Sequence, residues 1–201
     1  MRHLKYLAIF ASLFFFIQVA CNSNNIKARQ QLNEQNPKTL IDTCDAFHTI
    51  KAFLKWYSVN IYDINKINLI KIVNDNNKSI YRIDFNNTTK YILKLKATEY
   101  FSNIFLQEKQ KYFENCDKKF INIKQEDGPA EGLDADLLLY CQDWEFLLNN
   151  LNKINYKLIK KTNTFSIIVI DYKNSYDLIF KINSNCQIDY IVPKQMWNET
   201  M

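Results

Sequence analysis

One change of hydrophobic period constrains this chain more than any other feature. It falls at Gly132-Leu-Asp-Ala-Asp-Leu-Leu-Leu-Tyr-Cys-Gln-Asp-Trp144. Before this stretch, apolar residues recur at steps of three and four. After it they alternate with polar ones. A three-to-four step places apolar side chains on one helical face, whereas a step of two places them on one face of a strand. Helices followed by a run of strands predict an α+β fold, with N-terminal helices packed on one face of a curved antiparallel sheet.

The helical half begins with Phe47, Ile50, Leu54, Tyr57 and Ile61, widened by Phe53 and Trp56. These define one apolar face of a helix capped by Asp42 or Thr43 and running to about Asn60. His48, Lys51 and Lys55 fall on the wet side, so His48 reads as a surface residue. Residues 61–85 are ambiguous: Ile67 to Val73 suits either helix or strand, and Ile80 to Phe85 alternates as a short strand. Asn86-Asn87-Thr88 reads as a turn and cap before a helix over about 89–97. A third helix over about 100–120 carries Tyr100, Phe101, Ile104, Phe105, Tyr112, Phe113 and Cys116. Residues 122–136 form an acidic loop with Gly128, Pro129 and Gly132, and a short helix is expected from Trp144 to Leu151. Four strands follow, over about 156–161, 165–172, 176–183 and 187–192. Their hairpin-length connectors make an antiparallel meander.

The N-terminus has its own pattern. Arg2, His3 and Lys5 precede a twelve-residue apolar run, Tyr6 to Ile17, then Gln18-Val-Ala-Cys21 and the polar Asn22-Ser-Asn-Asn25. Twelve residues of helix reach about 18 Å, short of the ~30 Å hydrocarbon core of a bilayer. The pattern is therefore that of a signal peptide. It resembles a bacterial lipoprotein signal, in which the cysteine is diacylated and becomes the mature N-terminus. That resemblance implies residues 1–20 as signal peptide, Cys21 as the lipidation site and residues 21–40 as a polar tether. A single domain follows over 41–195. Asn22 in place of Asp, with no acidic run after it, points to the periplasmic face of the outer membrane. A secreted protein is the alternative if Cys21 is not lipidated.

Export changes how cysteines read. Cys44, Cys116, Cys141 and Cys186 are an even set in an oxidising compartment, so disulfides are possible, with the pairing open among three arrangements. No Cys-x-x-Cys or Cys/His spacing points to structural zinc. Loss of Arg2 and Lys5 with the leader takes the formal charge from +5 to +3, and the signs are interspersed. No steering patch for nucleic acid is present.

Several stretches resemble a family of secreted bacterial proteins, the domain of unknown function 3828 family. They are Ala52-Phe-Leu-Lys-Trp-Tyr57, Tyr100-Phe-Ser102, Leu133-Asp-Ala-Asp136 with Gln142-Asp143, and Asp189 within Gln187-Ile-Asp-Tyr-Ile191. The resemblance covers about residues 45–192. It implies a cone-like fold related to nuclear transport factor 2, in which helices close one end of a bent sheet. It implies no particular activity, because that architecture hosts isomerases, dehydratases, ligand binders and interaction modules.

With glycine only at 128 and 132, no phosphate-binding loop or dinucleotide fingerprint exists. One histidine beyond the leader, on a polar helix face, argues against Ser-His-Asp or Cys-His catalysis. Carboxylates remain. Asp134 and Asp136 share a side if extended, and Asp143 with Gln142 folds back toward them. They could hold Ca²⁺ or supply a general base. The structural alternative has these aspartates capping the helix near Trp144 and satisfying main-chain N–H groups of the glycine loop. Trp56, Tyr57 and Trp144 read as pocket lining or core. The expected function is therefore a membrane-anchored periplasmic lipoprotein acting as a non-catalytic binding or interaction module. It needs no cofactor or metal, touches the membrane through its lipid, and has an envelope protein or small ligand as partner. The alternative is an isomerase- or hydrolase-like enzyme using a carboxylate base in a cone-shaped pocket.

Overall fold

The structure, a computed structural model, describes residues 44–75, 78–124, 127–172 and 176–197. The leader, the tether, Cys21 and the expected caps Asp42 and Thr43 lie outside the described residues. The fold is α+β: helices and a small hairpin come first, and a four-stranded antiparallel sheet ends the chain.

Helix α1 spans Ala46–Asn65, and its cap is Asp45, whose carboxylate accepts the His48 N–H at 3.1 Å. Such a cap contributes about 1 kcal/mol by satisfying an otherwise orphaned donor. The anticipated face is buried: Ile50, Phe53, Leu54, Tyr57 and Ile61 are each at most 1% exposed. The ambiguous segment resolves into a hairpin, β1 (Ile70–Asp75) with β2 (Lys78–Ile83). Helix α2 spans Phe85–Lys96 and starts earlier than its Asn-Asn-Thr signal indicates. Asp84 caps it, accepting from the N–H groups of Asn86 and Asn87. Helix α3 spans Asn103–Ile123, capped by Ser102; Tyr100 and Phe101 precede it, and Ile104 faces outward. Helix α4 is one turn, Trp144–Leu148, shorter than expected, with a 3-10 turn at Leu151–Lys153.

Strands β3 (Asn155–Lys161), β4 (Phe165–Tyr172), β5 (Tyr176–Asn183) and β6 (Ile188–Pro193) pair in chain order. The period of two sorts their side chains. Ile168, Ile170, Leu178, Phe180 and Ile182 enter the main core with the helices. Ile167, Val169 and Ile179 form a second cluster on the reverse face, with Phe165, Val192 and Trp197 against it. Phe53 of α1 stands at the junction, its ring within 6.4 Å of Trp56, Tyr57, Tyr100, Phe101 and Phe180.

The cysteine pairing is Cys44–Cys186, which ties the start of α1 to the β5–β6 turn. Cys116 and Cys141 carry thiols. The bridge closes a separation of 142 residues. On the chain-entropy scale such a loop is stabilised by up to about 5 kcal/mol. Thr49 reinforces the junction by donating to the Cys186 carbonyl at 3.3 Å. A second tie is ionic: Arg82 of β2 grips Asp117 of α3 with two bonds of 2.8 and 2.7 Å, and Asp117 also accepts the Ile83 N–H. Hairpin and helix are thereby clamped by a fork-on-carboxylate contact, the geometry that suits arginine.

Candidate functional site

The described part of the connection from α3 to α4, residues 127–143, has little regular structure, yet side chains from three elements hold it. Tyr81 of β2 donates to the Gly128 carbonyl at 3.1 Å, and Tyr112 of α3 donates to the Gly132 carbonyl. Lys109 of α3 donates to the Leu137 carbonyl and to the Tyr140 hydroxyl. Gly132 has a φ of +85°, and an added Cβ would stand 3.0 Å from the Tyr112 hydroxyl. Both the turn and the close approach require glycine there.

Asp136 is the centre of this loop. It is 8% exposed. One carboxylate oxygen accepts the N–H groups of Leu138 and Leu139 at 2.9 and 2.7 Å, and the other accepts the Tyr57 hydroxyl at 2.6 Å. Its own carbonyl accepts from Tyr140 N–H, and its N–H donates to the Cys141 carbonyl. That loop turn places Tyr140 at a φ of 56°, a left-handed conformation that costs a side-chain-bearing residue about 1–2 kcal/mol.

Burial pushes the Asp136 carboxyl above the usual carboxylate range; its three donors and the Lys109 charge oppose that shift without cancelling it. Burial likewise pushes the Tyr57 hydroxyl well up, with the Asp136 charge adding to it. Lys109, itself buried, lies 4.7 Å from the centre of the Tyr140 ring, with Phe105 and Tyr112 also facing it. A carbonyl, a hydroxyl and ring faces thus replace part of the water that an ammonium loses on burial.

Beside this loop lies a cleft of about 620 Å³. One wall comes from the end of α1 and the approach to β1, including Ile64, Asn65, Ile67 and Asn68; the other comes from Ala130, Leu133, Asp134, Leu137, Gln142 and Trp144. Asp136 and Tyr91 of α2 also line it. The volume is within the ~300–1,000 Å³ typical of small-molecule sites. Tyr91 is 2% exposed, and its hydroxyl is the one buried side-chain polar atom without a hydrogen-bond partner among the described residues. An unmet hydroxyl of this kind costs about 1–3 kcal/mol.

The structure thus brings Asp134, Asp136, Gln142 and Trp144 to one cleft. It separates the other expected site residues from them. Asp143 is exposed, does not line the cleft, and makes no side-chain cap on α4 although it occupies the capping position. The expected capping of that helix by aspartate is corrected accordingly; the aspartate that satisfies loop N–H groups is Asp136. Tyr57 reaches the site from beneath, through its hydroxyl. Trp56 packs on Tyr57 and Tyr100, away from the cleft lining. Among the described residues no group of three or more His, Cys, Asp or Glu side chains is placed to hold a metal ion.

Two participants are absent from the sequence-based set. Tyr91 falls in the middle of α2, a helix whose apolar face is sparse. Lys109 had a legible signal: it sits one turn after Phe105 and one turn before Phe113, in the middle of a buried stripe.

The chain matches no protein-family model, no curated protein and no solved structure at a significant level.

Proposed function

We propose that this protein is an exported, membrane-tethered binding module that presents the α1–loop cleft to a ligand, without catalysing a reaction. In this reading Cys21 carries lipid at the mature N-terminus, and the domain faces the periplasm from the outer membrane. The Cys44–Cys186 bridge supports export, because such cross-links persist in oxidising compartments. No described helix is long and apolar enough to cross a membrane. The family resemblance seen in Leu133-Asp-Ala-Asp136 and Gln142-Asp143 fits the same reading, since those residues build the loop beside the cleft.

The observation that carries the non-catalytic reading is the set of donors around Asp136. A general base must turn an oxygen toward the proton it removes. Here Oδ1 holds two main-chain N–H groups and Oδ2 holds the Tyr57 hydroxyl. Three of the four lone pairs are thereby engaged in bonds that shape the loop, and the fourth, on Oδ2, lies beside the buried Tyr57 hydroxyl. The enzyme reading keeps one observation in its favour, the upward displacement of that same carboxyl beside a cleft.

Intact-mass analysis of the full chain from its native envelope tests the tether: a diacylated N-terminal Cys21 is expected, and unmodified residues upstream of Cys21 contradict it. Asp136→Asn tests the role of the carboxyl. Under the binding reading, this variant keeps the shape of the loop and the occupancy of the cleft. A compound consumed by the wild type and left intact by a folded Asp136→Asn protein makes the molecule an enzyme.

A further inference from the structure

We propose that the cleft takes a neutral, polyhydroxylated ring, a saccharide unit, seated against Trp144 with its hydroxyls on Asn65, Asp134 and Gln142. This rests on the reading of the cleft as a ligand site and adds the chemical class of the ligand.

Charge narrows the class first. Asp134 and Asp136 both line the cleft, and among the described residues its lining contains no lysine, arginine or histidine. The nearest buried cation, Lys109, is engaged beneath the loop by the Leu137 carbonyl and the Tyr140 hydroxyl. Phosphates, nucleotides and carboxylates would meet repulsion with no compensating cation.

Hydrogen-bonding capacity narrows it further. Asn65, Asp134 and Gln142 are exposed on facing walls. Gln142 gives one N–H to the Asp134 carbonyl at 3.4 Å and keeps its amide oxygen unused, while the side chains of Asn65 and Asp134 have no hydrogen bond among the described residues. Planar amides and carboxylates offer two polar atoms side by side. That spacing suits adjacent hydroxyls on a ring. A purely apolar ligand would cover these groups and leave them unsatisfied. A simple amine would engage Asp134 and leave the amides idle.

The third element is an aromatic surface that is already fixed. Trp144 lines the cleft, and the Tyr62 ring meets it edge-on with centres 5.3 Å apart. Tyr62 is held in turn by a 2.9 Å bond from its hydroxyl to Glu145. An indole braced in this way needs little ordering when a ligand arrives, and its face suits the C–H side of a sugar ring.

The test uses the full lipidated chain in a detergent without a sugar headgroup. Saturation-transfer NMR reads binding of neutral oligosaccharides ending in glucose, galactose, mannose or N-acetylglucosamine. Spermidine and an uncharged aromatic dye serve as comparison probes. The proposal expects at least one saccharide to bind, and both Asp134→Ala and Trp144→Ala to weaken it tenfold or more. Asp134 is exposed, so its variant is expected to melt with the wild type and to keep the test free of folding effects. Binding of spermidine or the dye with no saccharide overturns the ligand class and leaves the cleft as a binding site. Saccharide binding that neither variant weakens overturns the location. Silence from every probe overturns both this inference and the binding reading beneath it.

Discussion

Two buried aspartates hold this fold at two joints, and burial acts on them with opposite outcomes. Asp117 and Asp136 are 6% and 8% exposed, and each accepts three hydrogen bonds. Arg82 beside Asp117 holds that carboxyl below the usual carboxylate range. Asp136 has a neutral phenol and two amides as its donors, and burial pushes it above that range. Two differences separate them: a full positive charge in contact with Asp117, and a deeper setting for the Asp136 carboxyl. Hydrogen bonds alone do not offset the desolvation of Asp136, whereas a guanidinium fork outweighs the smaller desolvation of Asp117. The first aspartate is therefore a clamp between β2 and α3. The second is a pH-responsive knot that shapes the wall of the cleft.

The largest expected effect comes from the covalent joint between the start of α1 and the β5–β6 turn. Replacing Cys44 and Cys186 together by serine should lower stability by about 3–5 kcal/mol, read as a shift of the urea midpoint. If the double variant melts with the wild type, the start of α1 is held by packing alone. Next comes Asp117→Ala, which leaves Arg82 without its partner and the Ile83 N–H unmet. A loss of about 2–4 kcal/mol is expected, below the full range for a buried pair because the Arg82 side chain is 34% exposed. Tyr57→Phe should cost about 1–2 kcal/mol and move the Asp136 carboxyl further up, since it removes a donor from a buried carboxylate. If the carboxyl moves down, Tyr57 is not its partner in solution.

The smallest change is the most discriminating. Asp136 has a folded pKa above its unfolded value of about 3.9, so the folded state binds more protons between those two values. Its contribution to stability is complete below about pH 3.9 and falls as pH rises through the folded pKa. Asp117 runs the other way: its contribution is present above about 3.9 and is lost as pH falls toward its depressed folded pKa. Asp136→Asn should therefore cost less at pH 7 than at pH 4. Urea titrations at the two pH values check this. A cost that grows with pH contradicts the assignment.

Much of this architecture was legible because its elements bury one face each. The meander strands lie within a residue or so of their sequence-based limits, since Leu178, Phe180 and Ile182 alternate into the core. The α1 face was legible for the same reason. The β1–β2 hairpin was not: β1 contains no buried residue, and Ile72 is 66% exposed, so no inward periodicity marks it. The site was legible in part. The acidic stretch stood out, but which of its aspartates is buried depends on a hydroxyl 79 residues away, on Tyr57. The Arg82–Asp117 pair and the Cys44–Cys186 bridge are equally non-local, and nothing in local spacing selects them.

Carbon-13 NMR titration of the aspartate side-chain carboxyl groups puts the contrast between the two joints to its most direct test. The account predicts that Asp136 titrates above the usual carboxylate range and Asp117 below it, in the same sample. The order reversed, or both groups displaced to the same side, would contradict it.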